Sequence, residues 1–274
     1  MTNSYRDKVA VVTGGAGGIG GALCQALADR GAVVVVADID ESAAGRLAST
    51  IAQTGGRVVV PRVDVGREAA VQSLIDETVA RHGRLDYMFN AAGVAVIGEL
   101  RDITADHWQP ILDVTLRGVV HGTMCAYRTM VAQGHGQIVN IASLAGLIPF
   151  PTAVPYAAAK HAIVGLTSSL RLEAAAFGVG VSLVCPGFVD TGLFDAAPVL
   201  RSKREHLLTW LPFKKMDPNG AARVILAGVE RNRAMIVFPM HARILWRLHR
   251  LCGALITPVM NKAVRRFRRS RIEP

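Results

Sequence analysis

Tyr156 and Lys160 stand one helical turn apart in the stretch YAAAK. Residues four apart share a helix face, so this spacing can set an ammonium beside a phenol. A free phenol has a pKa near 10 and is a poor base at neutral pH, but a neighbouring cation favours its anion and makes it a usable acid/base. On a solvated alanine-rich helix the same pair is only a helix face, so the surrounding chain must decide.

A second group of residues has the chemistry of an anion cradle. The stretch TGGAGGIG (Thr13 to Gly20) places Gly14, Gly18 and Gly20 between a β-branched run and the helical stretch GALCQALADR. Glycines there admit positive φ and let backbone approach a pyrophosphate, whose charge suits the free N–H groups of the helix start. Asp38 follows Gly20 by 18 residues, at the end of the next apolar run. A carboxylate there accepts hydrogen bonds from adenosine ribose hydroxyls and repels a 2′-phosphate, and no Arg lies within the loop or directly after Asp38, so NAD is favoured over NADP.

The elements that must position these residues are legible in the alternation. Seven β-branched runs, at 8–13, 32–38, 57–64, 85–90, 136–143, 179–186 and 234–239, are separated by helical stretches. Runs without polar alternation mark strands covered on both faces, and helices between them imply right-handed crossovers. The pattern predicts an α/β, doubly wound Rossmann-type fold with a seven-stranded parallel sheet, a single domain over 1–240, with ligands beyond the carboxyl ends of the strands. Hydrophobic residues make up 51% of the 274, yet no apolar run reaches the roughly 20 residues of a membrane-spanning helix. The start lacks the pattern of a secretory signal, and Cys24, Cys125, Cys185 and Cys252 form no metal-ligand spacing. A cytoplasmic protein without a bound metal is expected.

With these features in order, the chain resembles the short-chain dehydrogenase/reductase family from about residue 7 to 240. TGGAGGIG matches that family's cofactor loop, NAAG at 90–93 its NNAG turn, NIAS its serine strand, YAAAK its Tyr-Lys pair and PGFVDT its segment after the sixth strand, and Ser143 lies 13 residues before Tyr156. The resemblance implies an NAD-dependent oxidoreductase. Tyr156 would be the acid/base, Ser143 would hold the substrate oxygen, and Lys160 would also bond the nicotinamide ribose. It carries cofactor contacts onto Gly14, Gly18, Ile19, Gly20, Asp38, Asp64, Val65, Asn90, Ala91, Gly93, Pro186, Val189 and Thr191. In ILDVTLRGVV, Thr115 occupies the place of the family's catalytic asparagine, and its hydroxyl is expected to bridge to water in a modified proton relay. An NAD-binding sensor or scaffold without turnover is the alternative.

Substrate choice is expected from 94–100, 144–154 and the lid at 191–216. Leu144, Leu147, Phe150, Phe194, Leu207, Leu208 and Trp210 suit a lipophilic secondary alcohol or ketone. A hydroxyacyl-CoA, its phosphates meeting Arg201, Lys203, Arg204, Lys214 and Lys215, is the other reading. A homo-oligomer is expected, as is common for such enzymes. Residues 241–274 hold nine basic side chains against Glu273 alone and account for most of the net charge of +10, so the body offers nucleic acid no broad basic face. Their apolar positions follow helical spacing, and this extension either lies on an anionic membrane surface, packs on a partner subunit or closes over the substrate pocket.

Overall fold

The computed structural model describes residues 4–203 and 214–272. Seven strands, β1 (Val9–Thr13), β2 (Val33–Ala37), β3 (Arg57–Val59), β4 (Tyr87–Asn90), β5 (Gly136–Ile141), β6 (Val179–Pro186) and β7 (Met235–Phe238), form one parallel sheet in the order β3-β2-β1-β4-β5-β6-β7. The runs VAVVT and VVVVA show why: Val11 and Val12 point to opposite faces, and neither is exposed. Only a strand covered on both sides needs two such residues in succession. The third strand is shorter than the predicted 57–64. Pro61, which has no N–H for the ladder, interrupts it, and pairing resumes only as a single bridge between Asp38 and Arg62.

Helices α1 (Gly18–Ala28), α2 (Glu41–Gln53), α3 (Glu68–His82), α4 (Ala105–Pro110), α5 (Gly118–Gln133), α6 (Val154–Ala174), α7 (Leu193–Ala196) and α8 (Pro218–Glu230) fill the crossovers. Leu23 and Leu27 of α1, Ile51 of α2 and Ile225 of α8 pack with Val12 on one face. Val71 and Ile75 of α3 and Cys125 and Met130 of α5 pack with Val11 on the other. Between α4 and α5, residues Ile111–Arg117 make a wider π-helical turn, closed by the amide of Gly118 donating to the carbonyl of Asp113. Such turns reset the register of the side chains that follow.

The basic extension forms α9 (Met240–Leu251) and α10 (Thr257–Arg269). Ala242, Leu245 and Trp246 of α9, with Ile256 and Met260, pack against Ile163, Leu183 and Cys185 of the main domain. Phe267 of α10 is buried with Ala95, Ile97, Tyr156 and Ala197. Charge ties the extension down as well. Arg268 donates to Glu99 at 2.7 Å, and Arg271 donates to both carboxylate oxygens of Asp102, at 2.6 and 2.8 Å. The amide of Ile272 donates to the carbonyl of Arg201. Within the chain, α10 thus turns Ala263 and Phe267 toward the pocket region, while Val259 stays exposed.

Candidate active site

Strand order reverses between β1 and β4, where the chain leaves the sheet in opposite directions and a crevice opens beyond the strand ends. A cavity of about 740 Å³ lies there. One end is walled by the glycine loop. Gly14 has φ +64°, and a side chain on it would drive into the Ala92 backbone at 2.7 Å, so only glycine lets the two turns meet. Thr13 locks that meeting, its hydroxyl accepting from the amides of Ala91 and Ala92. Gly17, at the N-terminus of α1, offers no side-chain cap, which leaves first-turn N–H groups directed at the cavity. Asp38 is held by the same loop: one carboxylate oxygen accepts from the amide of Ala16 at 2.9 Å and the other from that of Asp40 at 3.1 Å. Gly18, Ile19, Gly20, Asp64, Val65, Ala91, Gly93, Pro186, Val189 and Thr191 all reach this cavity as the sequence suggests.

Asn90 does not. Its side chain is 1% exposed and turns into the domain, where its amide donates to Asn140 at 2.8 Å and to Thr123 at 3.3 Å. Asn140 donates onward to Thr167, whose hydroxyl reaches the carbonyl of Ile163. The Asn90 side chain is thus the first link of a polar chain joining β4, α5, β5 and α6. Thr123, Asn140 and Thr167 carry no local sequence signal, because their meaning depends on three elements coming together.

At the other end of the cavity Ser143, Tyr156 and Lys160 converge. Pro155 in the first turn of α6 starts the helix with Tyr156 and Lys160 both facing inward, 5% and 4% exposed. Gly146 allows the turn after β5 to lie on that helix, since a side chain there would meet the Lys160 carbonyl at 2.5 Å. This contact brings the Ser143 hydroxyl to the side of Tyr156. The Ser143 oxygen also accepts from the amide of Ala145. Lys160 Nζ donates to the carbonyl of Ile141 at 2.7 Å and lies 5.5 Å from the Tyr156 ring centre.

Burial dominates the electrostatics. It pushes the Tyr156 phenol up to about 12, although the neighbouring Ser143 hydroxyl pulls the other way. It lowers Lys160 to about 8, with nearby Cys185 opposing. Burial, with Ser143 and Cys185 as the lesser influences, sets the Tyr156 phenol, and Lys160 is not among its causes. Cys185, fully buried beside Lys160, is itself raised to about 12 and is a thiol.

Thr115 departs from its expected role. It is fully buried, and its hydroxyl donates to the carbonyl of Val94 and accepts from the amide of Val94, both at 2.9 Å. A hydroxyl engaged twice by one backbone residue has no proton left for a water relay. Thr115 instead fixes the segment that passes Gly93, a position flanked by Thr115 and Lys160.

Much of the rest of the cavity is apolar, lined by Val94, Val96, Ile111, Leu193 and Phe194, with Asp106 and His107 as its polar members. Phe194 sets its ring edge-on to Tyr156 and stacks on Phe150, which in turn approaches Phe188. Leu144 and Leu147, expected at the pocket, instead pack with α9 in the core. Of the lid cations, Lys215 pairs with Asp190 at 2.9 Å while Arg201, Lys203 and Lys214 are exposed. Arg204, Leu207, Leu208 and Trp210 lie outside the described residues.

This geometry has counterparts among known proteins. The profile described as short chain dehydrogenase matches residues 8–198. The chain belongs to the short-chain dehydrogenase/reductase family. It is therefore an oxidoreductase, and relatives of this family member are named as dehydrogenases. A subunit of a hydroxy(phenyl)methylsuccinyl-CoA dehydrogenase, BbsD of Thauera aromatica, is 33% identical over 81% of this chain and 88% of its own length. The cyclohexanol dehydrogenase of Acinetobacter sp. strain SE19 is 33% identical over 73% of this chain and 82% of its own. A crystal structure of a family member from Burkholderia phymatum in complex with NAD superposes with TM-score 0.85 at 32% identity, covering 92% of this chain and 95% of that one.

Proposed function

We propose that this family member transfers a hydride between NAD and a lipophilic secondary alcohol or ketone. The observation that carries the reading is the convergence of Ser143, Tyr156 and Lys160 at the junction of a glycine-walled crevice and an apolar chamber. The crevice fits a dinucleotide: the uncapped start of α1 suits a pyrophosphate, and Asp38, held rigid by the loop amides, suits ribose hydroxyls and excludes a 2′-phosphate. NAD, when bound there, supplies the hydride acceptor or donor.

The chain's own residues handle the proton and the geometry. Ser143 accepts from the Ala145 amide through its oxygen, and its O–H, directed at Tyr156, is placed to turn to a substrate oxygen beside Tyr156 Oη. With its pKa at about 12, Tyr156 keeps its proton through the neutral range and donates it to a ketone oxygen, becoming phenolate; in the opposite direction the phenol first loses its proton to solvent, and the phenolate then accepts the alcohol proton. Lys160, lowered to about 8 by burial and 5.5 Å from the Tyr156 ring centre, stabilises the phenolate as it forms. Phe194 and Leu193 exclude water from the reacting face and favour a substrate with few polar groups. The pairing of Lys215 with Asp190 removes one cation that a phosphate-bearing acyl carrier would need, so the small lipophilic substrate is the better fit.

The test is Tyr156→Phe, assayed with cyclic and acyclic secondary alcohols by the appearance of NADH. Turnover is expected to vanish with NAD affinity unchanged. A variant that retains turnover would sink the reading.

A further inference from the structure

The extension leaves one face unexplained. The helix α9 turns Ala242, Leu245 and Trp246 inward, and the residues opposite them are also apolar. Met240, Ile244, Leu248 and Leu251 recur at helical spacing on the outer side and continue into Leu255, with Leu251 82%, Met240 65% and Leu255 53% exposed. Such a stripe is more than the scattered apolar side chains of an ordinary surface. Arg247 and Arg250 stand exposed along its flank, and the Arg250 guanidinium lies over the Trp246 ring at 5.9 Å. Next in the chain, α10 buries Ala263 and Phe267 and shows solvent Lys262, Arg265, Arg266 and Arg269.

We propose that this surface seats the protein on a bilayer bearing anionic headgroups, with the stripe of α9 among the acyl chains and the arginines among the phosphates. Charge complementarity selects this occupant. Residues 240–272 contain no Asp or Glu. Two copies docked face to face would set arginine against arginine with no carboxylate between them, since a two-fold interface pairs a patch with itself. An anionic lipid surface supplies the missing charge over the whole patch and accepts the apolar side chains as well. The stripe requires no refolding to be used, because α9 is already anchored by its other face. Its position also suits the proposed function: the same extension covers the apolar chamber through Phe267, so a lipophilic substrate partitioned in a bilayer lies close to where it is consumed.

The test uses the full chain with vesicles of phosphatidylcholine alone and of phosphatidylcholine mixed with phosphatidylglycerol. Co-sedimentation is expected only with the anionic vesicles, and high salt should release the protein. The paired substitutions Leu251→Ser with Leu255→Ser, and Arg247→Glu with Arg250→Glu, should each weaken binding roughly tenfold or more. Both pairs are exposed and none of the four lines the cavity, so turnover on a soluble alcohol in vesicle-free buffer should stay at the parent value, which shows that the variants are folded. Failure of the parent to sediment with anionic vesicles overturns the proposal, as does equal binding to neutral vesicles or binding indifferent to both pairs. A drop in oligomer mass on Leu251→Ser with Leu255→Ser, without vesicle binding by the parent, assigns the stripe to a second copy and overturns it equally.

Discussion

Replacing Thr115 by valine tests the reassignment of this residue from proton relay to structural tie. Valine keeps the shape and replaces the hydroxyl by a methyl, so the change isolates the two hydrogen bonds to Val94. Each is worth about 0.5–1.5 kcal/mol net, and together their loss should cost about 1–3 kcal/mol. Thr115→Ser keeps both bonds and loses one fully buried methyl, about 0.8 kcal/mol on the area scale. Urea unfolding should therefore rank the proteins parent, serine, valine in falling stability, with the midpoints moving at nearly constant slope. Turnover in the valine variant should fall because the wall at Gly93 beside Lys160 loosens, while the pH profile keeps its shape. A valine variant as stable as the serine one would refute the tie. A changed pH profile with unchanged stability would restore the relay.

Other consequences can be checked in parallel. Asp38→Ala should weaken NAD binding by about 1–3 kcal/mol, the range for a lost charge-assisted bond, and narrow the gap to NADP; titration of both cofactors decides, and a parent that already prefers NADP contradicts the role of Asp38. Phe267→Ala should destabilise by about 3–5 kcal/mol as a buried aromatic truncation and raise KM more than it lowers kcat, because it opens the cluster behind Phe194; an unchanged melting temperature would show that α10 does not pack there. Lys160 sets a pH dependence of stability. Its pKa falls to about 8 on folding from 10.5, so between these values the unfolded chain binds the extra proton and stability rises with pH. Relative to Lys160→Met, the parent should gain about 3 kcal/mol across that window, and a flat difference would mean that the amine is solvated.

How far the sequence reaches differs from residue to residue. The glycine loop, Asp38 and the Ser143, Tyr156 and Lys160 set act through local backbone geometry or through one helix face, and their positions in the cavity follow from spacing. Asn90 sits in the same kind of motif, but its side chain chooses between crevice and core according to what β5 and α5 place behind it, and Asn140 and Thr123 decide for the core. Thr115 misleads for a similar reason: the hydroxyl is visible in the sequence, its two bonds to Val94 are not. The length of β3 was obscured by reading VVVPRVD as continuous apolar strand across Pro61. For the basic extension, helical period reveals that α9 and α10 are amphipathic without saying what their apolar sides meet, and α9 carries apolar residues on two opposite faces.

The contact of Gly146 with the Lys160 backbone has a bearing on how such a protein can change its chemistry over generations. The turn carrying Ser143 and the helix carrying Tyr156 and Lys160 are clasped together without using the walls of the apolar chamber. Those walls come from elsewhere: the segments around Val96 and Phe194, and α10 behind them. The reacting groups can therefore be inherited as a block while the walls drift. New substrates become accessible through mutations in the loops and the extension, each of which leaves the proton-transfer geometry standing, while Gly146 is held to glycine by backbone contact alone.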